Sequence, residues 1–266
     1  MPHALEDVAI SHLDRPNRDA VVSVEPARKR VRGMLGGQTV VNSTDALLLF
    51  ERGHLPVYYF RVADVREDLL EPSDRTTHCP RKGDATYHSV RVGDRFAANA
   101  VWRYVEPLPE CPDISGHVAF YWNSMDSWWE EDDQVFVHAR DPHKRVDVLR
   151  SSRHVRVELD GETVAETRRP LLLLETGLPE RWYIPRADVR QELLRPSETV
   201  TMCPYKGSAT YFAIGEHPDI AWTYLTPIPE CAKIEQAVCF FNERVDLFVD
   251  GERQARPKTK WSERAA

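Results

Sequence analysis

Short stretches of alternating apolar and polar residues, separated by turn residues, recur along the chain. Residues 155–159 alternate strictly, Asp160-Gly161 supplies a two-residue turn, and residues 163–165 return, which predicts a β-hairpin. Apolar runs at 171–174 and 182–184 are typical of short buried strands. Residues 187–194 place their apolar side chains on one helical face before Pro196, which favours a single short helix there. The pattern predicts a mainly β protein.

The chain also repeats itself. Residues 37–87 match residues 161–211, with roughly half of the positions identical, and the match continues further along both copies. Such a repeat predicts two tandem domains that share one fold. The expected boundaries are a polar leader over 1–23, a first repeat domain over 24–122, an insertion or linker with Trp128 and Trp129 over 123–150, and a second repeat domain over 151–266.

Charge and hydropathy limit the partners. Lys and Arg total 35 against 42 Asp and Glu, a net charge of −7, which argues against nucleic acid because phosphate binding needs a concentrated basic surface. Every apolar run falls far short of the ~20 residues that cross a bilayer. The acidic, apolar-poor amino terminus does not resemble a secretory signal. We therefore predict a cytoplasmic protein that binds neither nucleic acid nor membrane, with its oligomeric state open.

Cysteine and histidine usage argues against a metal. The five cysteines are odd in number and contain no C-x-x-C pair, which disfavours a disulfide framework and a zinc ribbon. The first copy has His78, His88 and His117 near its cysteines, but the second copy lacks counterparts to all three. Because a metal required by the shared fold would need ligands in both copies, we predict no metal and no cofactor.

The turn at residues 201–211, T-M-C-P-Y-K-G-S-A-T-Y, carries the candidate chemistry. Pro and Gly bracket a bend that would hold Cys203 and Lys206 close together. An ammonium group beside a thiol favours the nucleophilic thiolate, whereas a desolvated lysine could act as a base or form a Schiff base. Alternatively, the cysteine is a small buried apolar residue and the lysine packs its stem against a ring.

Several neighbours could complete such a site. Trp222 and Tyr224 are two residues apart on a predicted strand, so they share a face and could form a pocket wall. Glu230 could supply a carboxylate, and Tyr205 and Arg186 could bind substrate. Core packing and solvent-facing loops explain the same residues. The first-copy equivalents are Cys79, Lys82, Trp102, Tyr104 and Glu110.

The ordered segments R-W-Y-I-P-R-A-D-V, T-M-C-P-Y-K-G-S-A-T-Y, A-W-T-Y, P-I-P-E and A-V-C-F-F resemble the family known as domain of unknown function 427, sometimes labelled nucleotidyltransferase-like. The resemblance covers residues 28–121 and 153–251. It implies a compact fold, similar to the β complex of the Mss4-like group, so we expect two small β-barrel-like domains with one short helix each. It implies no particular reaction, and the chain lacks the paired carboxylates and the glycine-rich loop of a nucleotidyltransferase site.

Two functions follow as hypotheses. The first is a small-molecule enzyme, of undetermined reaction class, that uses the Cys203/Lys206 turn of the second copy with Glu230 as a further catalytic group. The alternative is a non-catalytic ligand-binding or scaffold protein, in which the two copies form a pseudo-twofold tandem that mimics a homodimer.

Overall fold

The computed structural model describes residues 21–262 and divides between Ala139 and Arg140 into two compact units. Each unit contains one seven-stranded and one four-stranded sheet, and neighbouring strands pair antiparallel. The predicted mainly β fold with two tandem domains is confirmed. Within the described residues the sheets remain open rather than closing into a barrel. Most of the predicted leader, residues 1–20, lies outside this range.

The first unit contains strands β1 to β11. Its larger sheet has the order β1-β4-β5-β9-β8-β7-β6, and its smaller sheet has the order β11-β10-β2-β3. The strands are β1 (Val22–Pro26), β2 (Val31–Leu35), β3 (Gln38–Ser43), β4 (Leu47–Glu51), β5 (Val57–Arg61), β6 (Leu70–Cys79), β7 (Gly83–Val92), β8 (Arg95–Tyr104), β9 (His117–Phe120), β10 (Ser127–Glu130) and β11 (Asp133–Val135).

The second unit repeats this arrangement. Its larger sheet has the order β12-β15-β16-β20-β19-β18-β17, and its smaller sheet has the order β14-β13-β21-β22. The strands are β12 (Val146–Arg150), β13 (Val155–Leu159), β14 (Glu162–Thr167), β15 (Leu171–Glu175), β16 (Arg181–Ile184), β17 (Arg195–Cys203), β18 (Gly207–Ile214), β19 (His217–Pro227), β20 (Val238–Phe240), β21 (Asp246–Val249) and β22 (Glu252–Arg253). The segment 123–150 thus supplies β10 and β11 to the first unit and β12 to the second.

The predicted hairpin is present as β13 and β14. Leu159 pairs with Glu162, and Asp160 and Gly161 have φ angles of 53° and 80°. Positive φ at both central positions is the geometry of a type I′ turn, whose twist matches that of the flanking strands. The local turn signal was therefore sufficient to predict this element.

The predicted helix differs from the structure. Residues 187–194 form two short 3-10 turns, Arg186–Asp188 and Gln191–Leu193, instead of one α-helix. Val189 between them has extended backbone and bridges Ala165 of β14. Because this pairing takes the backbone out of the helical conformation, helical hydrogen bonding stops after one turn. A second expectation of the sequence, one short helix in each copy, is corrected in the same way by turns at Val62–Asp64 and Glu67–Leu69.

The larger sheet of each unit is buried on both faces. Tyr58 and Phe60 pack toward the smaller sheet, while Tyr59 between them belongs to a separate cluster on the opposite face. This two-sided burial explains why residues 57–60 of β5 and 182–184 of β16 form uninterrupted apolar runs instead of alternating. No helix among residues 21–262 is long and apolar enough to cross a membrane.

Candidate functional site

The turn between β17 and β18 contains the sequence C-P-Y-K-G. The Lys206 amide donates to the Cys203 carbonyl over 3.4 Å, and Gly207 follows with a φ of 104°. A Cβ atom at Gly207 would lie 3.3 Å from the carbonyl oxygen of Thr226, so glycine suits both the backbone angle and the close approach. Gly83 in the first unit has nearly the same geometry, with a φ of 102°.

Lys206 is buried and forms an ion pair with Glu175 at the end of β15. The other carboxylate oxygen of Glu175 lies 3.2 Å from Nζ of Lys144. Burial by itself would lower the pKa of Lys206, but electrostatic interactions with Cys203 and Glu175 more than offset this effect, so the pKa lies above the ordinary lysine value. The Lys206 side chain is therefore an ammonium group at neutral pH.

The first unit contains the same buried pair. Lys82 contacts Glu51 at the end of β4, and Nη1 of Arg81 lies 3.2 Å from the second carboxylate oxygen. Burial would raise the pKa of Glu51, but the hydrogen bond and charge of Lys82 outweigh it, and the pKa lies below its usual range. A lysine–glutamate pair at this turn is thus common to both repeats.

Sequence reasoning missed Glu51 and Glu175. The available signal was their identity in the two copies, two positions after the matching Leu-Leu-Leu runs. Glu230 and its first-copy equivalent Glu110 were predicted instead. Both of these are exposed, and the nearest cation to Glu230 is Arg140, at 4.0 Å.

The aromatic pair Trp222 and Tyr224 belongs to the buried core of the second unit. Nε1 of Trp222 donates to the hydroxyl of Tyr183 over 3.1 Å, and only 7% of Trp222 is exposed. Burial raises the pKa of Tyr224 far above its ordinary value. Trp102 and Tyr104 have corresponding places in the first unit, where Trp102 donates to Tyr59 over 3.2 Å. Trp222, Tyr224 and Tyr104 are thus buried in the core, whereas Trp102 is partly buried against it.

The two remaining predicted residues lie in different surroundings. The guanidinium of Arg186 stacks 5.5 Å from the ring centre of Phe212, which packs between the two sheets, on the face opposite Trp222. The structure therefore does not bring Arg186 to Trp222. Tyr205 accepts a hydrogen bond from the Asp141 amide over 2.8 Å, and Nζ of Lys144 lies 5.4 Å from its ring centre.

The thiols of the second unit differ in burial. Cys203 is partly exposed, whereas Cys231 and Cys239 are fully buried. Burial raises the pKa of Cys231 to about 11 and that of Cys239 to about 12. The Cys231 thiol also donates to the Tyr205 carbonyl over 3.3 Å. Of these three thiols, Cys203 is the accessible one.

No three His, Cys, Asp or Glu side chains lie together as potential metal ligands anywhere between residues 21 and 262. Five cysteines are present as free thiols. The predicted absence of a metal stays a prediction, which elemental analysis of the purified protein tests.

The first unit contains a cavity away from the predicted Cys/Lys turn, and one of its lining residues, Trp102, is the first-copy equivalent of the predicted pocket residue Trp222. Its volume is about 390 Å³, which falls within the range of small-molecule sites. Aromatic rings form much of the wall, and they contact one another: the ring centres of Trp102 and Tyr121 are 4.7 Å apart, and those of Trp122 and Trp128 are 5.1 Å apart. Val57 at the start of β5 also lines the cavity. The site is concave and predominantly apolar.

Val137 at the edge of this cavity has a strained backbone. Its φ angle is 72°, and the His138 amide donates to the Phe136 carbonyl over 2.8 Å. This is a γ-turn of the rare kind, which a β-branched residue adopts only at a cost in energy. Backbone strain of this kind concentrates at functional sites, so it is an independent indication that the cavity has a role.

At the corresponding place the second unit contains a buried ion pair. Nη1 and Nη2 of Arg181 each donate to one carboxylate oxygen of Glu243 over 2.7 Å, and Nη1 also donates to the side-chain oxygen of Asn242. Thr259 near the end of the chain donates to the same carboxylate over 2.8 Å. The Arg181 side chain lies between three rings, with its guanidinium carbon 5.5 to 5.8 Å from the ring centres of Trp222, Phe241 and Trp261.

The fold and these sites define a class of protein: a tandem repeat of an antiparallel β unit that carries a buried lysine–glutamate pair at one turn. The family model described as Domain of unknown function (DUF427) matches residues 23–131 and again residues 147–251, and the chain belongs to this family. Comparison with curated proteins gives no match. The resemblance to this family, seen in the ordered segments that include C-P-Y-K-G, is thereby confirmed.

Proposed function

We propose that the protein binds a small apolar molecule in the cavity of its first unit, without catalysis. The observation that carries this proposal is the aromatic-walled cavity of about 390 Å³, with the strained Val137 at its edge. Of the two functions predicted from the sequence, this one corresponds to the non-catalytic ligand-binding alternative. A cytoplasmic location remains the prediction made from the sequence.

The lysine turns support a structural role under this proposal. A base or a Schiff-base nucleophile needs a neutral amine, but Lys206 is held as an ammonium by Glu175. The carboxylate partner, Glu175, is likewise buried, and the indole of Trp222 donates its hydrogen bond to the hydroxyl of Tyr183. A buried, mutually neutralised pair of this kind fixes the turn without presenting a reactive group.

Binding can be tested with N-phenyl-1-naphthylamine, a neutral probe whose fluorescence rises in apolar sites. We expect saturable binding of one probe per chain. The double variant Val57→Arg, Asn123→Glu places the Arg181 and Glu243 side chains of the second unit at the corresponding positions of the cavity. We expect it to weaken probe binding by about tenfold or more, because the new side chains occupy the space.

The matched control is Val200→Arg in the second unit, where an exposed valine receives the same charge. This control should bind the probe as the unmodified protein does. Equal binding by the cavity variant and the control, or only unsaturable binding throughout, would contradict the proposal. Thermal unfolding of each variant confirms that loss of binding is not loss of folding.

A thiol enzyme is the second candidate, because Cys203 is partly exposed and interacts electrostatically with the neighbouring ammonium of Lys206. Limiting iodoacetamide at neutral pH should then label Cys203 before Cys231 and Cys239, whose raised pKa values keep them as thiols. Peptide mass spectrometry over time measures the order. If Lys206 activates the thiol, replacing Lys206 and Glu175 together by methionine slows labelling of Cys203 several-fold; equally slow labelling of all three thiols would exclude the nucleophile.

A further inference from the structure

The two units can be compared position by position around the cavity. Val57 and Arg181 occupy the same place, since each pairs with the third leucine of the preceding strand, Leu49 or Leu173. Tyr121 and Phe241 also correspond, because each donates its amide to the equivalent carbonyl of the neighbouring strand, that of Ala100 or Ile220. The cavity of the first unit and the Arg181 cluster of the second are therefore two versions of one site.

In the second unit an aromatic ring of the chain itself, Trp261, packs at this site. The ring centre of Trp261 lies 6.4 Å from that of Phe241 and 5.7 Å from the guanidinium carbon of Arg181. Thr259 anchors the segment through its hydrogen bond to Glu243, and the Trp261 amide donates back to the Thr259 hydroxyl over 3.1 Å. Trp261 packs against the same buried cluster that contains Trp222.

We infer that the ligand of the first-unit cavity is a small molecule with a neutral, flat aromatic ring system of about the size of indole. This inference rests on the proposed function and adds the class of ligand. Trp261 shows the shape that the common site accepts: a planar bicycle against the ring at the position of Tyr121 and Phe241. In the first unit the equivalent residue, Tyr121, is 41% exposed, so part of its ring is accessible to an aromatic ligand.

The side chains at the site favour a neutral ligand. Where the second unit has the cation Arg181 the first has Val57, and where the second has Glu243 the first has Asn123. Neither replacement leaves a charge that could pair with a charged ring substituent. Glu130 is buried nearby, but its carboxylate accepts from Tyr58 over 2.6 Å and lies 2.7 Å from Nζ of Lys29. Among the residues that line the cavity, His138 could carry a charge, and its Nδ1 lies 2.7 Å from the Ala139 carbonyl oxygen. A charged ligand would thus lose hydration and find few charged partners.

Calorimetric titration with indole and with hydrindane, the saturated bicycle of the same ring sizes, tests the inference. We expect one indole per chain, bound about tenfold more tightly than hydrindane, because stacking on the wall rings needs a planar π system. The variant Val57→Arg, Asn123→Glu should lose indole binding, and Val200→Arg should keep it. Asn123→Trp, a change at an exposed lining residue, provides a second block if the double variant fails to fold.

The outcomes separate this inference from the proposed function. Hydrindane binding that equals or exceeds indole binding, and that the double variant abolishes, would overturn the aromatic ligand while leaving small-molecule binding in place. Failure of indole, hydrindane and N-phenyl-1-naphthylamine together would overturn both. Indole binding that persists in both blocked variants would place the aromatic site elsewhere and overturn the inference.

Discussion

Replacing Lys206 by methionine is expected to lower the free energy of unfolding by about 3–5 kcal/mol. Methionine preserves the apolar stem but removes the charge, and it leaves the buried carboxylate of Glu175 without its main partner. The nearby ammonium of Lys144, 3.2 Å from the other carboxylate oxygen, keeps the loss toward the lower end of this range. Denaturant unfolding of the purified variant measures the change.

The matched comparison is the double variant Lys206→Met, Glu175→Met. Removing both charges should recover most of the lost stability, since a buried ion pair replaced by apolar side chains is often neutral. Lys258→Met, at an exposed lysine, is the control for loss of a charge alone. A single variant as stable as the unmodified protein, or a double variant no better than the single one, would show that the pair does not hold the turn.

The pH dependence of this pair has a defined sign. Because the folded-state pKa of Lys206 lies above its ordinary value of 10.5, the pair contributes fully below that value. Its contribution is lost as pH rises through the folded-state pKa. Alkaline unfolding should therefore be less steep in the double methionine variant than in the unmodified protein.

Local signals predicted much of the fold. The hairpin around Asp160-Gly161 was predictable because two adjacent residues with positive φ define the turn without any distant contact. The repeat likewise predicted two units of one fold. The helix at 187–194 was not predictable as 3-10 turns, since its interruption comes from the bridge between Val189 and Ala165, a contact distant in sequence.

The site was harder to predict for the same reason. Glu175 is 31 residues away from Lys206 in the chain, and β16, β20 and β19 separate β15 from β18 in the sheet, so no pairing of neighbouring strands predicts this contact. Glu230 was chosen because it is close to the aromatic strand in sequence, yet it is exposed. The cavity arises from differences between the copies, such as Val57 against Arg181, and a comparison that seeks identical residues passes over such differences.

Replacing Arg181 by valine should also be strongly destabilising, by about 3–5 kcal/mol. The Glu243 side chain is fully buried and receives two hydrogen bonds from the guanidinium, at 2.7 Å each. Valine removes both bonds and leaves the carboxylate with the Thr259 hydroxyl as a remaining donor. It also withdraws the cation from the faces of Trp222, Phe241 and Trp261. Denaturant unfolding gives the size of the loss.

The repeat provides the compensating change. The first unit has Val57 and Asn123 at these two positions, so the variant Arg181→Val, Glu243→Asn converts the second unit to a combination that the fold already contains. We expect the double variant to recover most of the stability lost by the single one. Arg190→Val removes an arginine whose ion pairs with Glu162 and Glu192 are exposed, so it should lower the free energy of unfolding by only about 1 kcal/mol or less. A double variant as unstable as Arg181→Val would contradict a role for the uncompensated carboxylate.

Lowering the pH should change the stability contributed by Glu243 in opposite directions in the unmodified protein and in the Arg181→Val variant. In the unmodified protein, burial raises the pKa of Glu243 but the hydrogen bonds and charge of Arg181 outweigh it, so the pKa lies below its usual value. The stability from this carboxylate is therefore present above the unfolded-state pKa and is lost as pH falls through the folded-state pKa. Without Arg181, burial dominates and the folded-state pKa of Glu243 rises above the unfolded-state pKa, so Arg181→Val loses stability as pH rises through the folded-state pKa.

The difference in unfolding free energy between the unmodified protein and Arg181→Val should consequently be smaller at about pH 4 than at about pH 8. A difference that is constant with pH would mean that valine destabilises the unit through lost packing rather than through the buried charge.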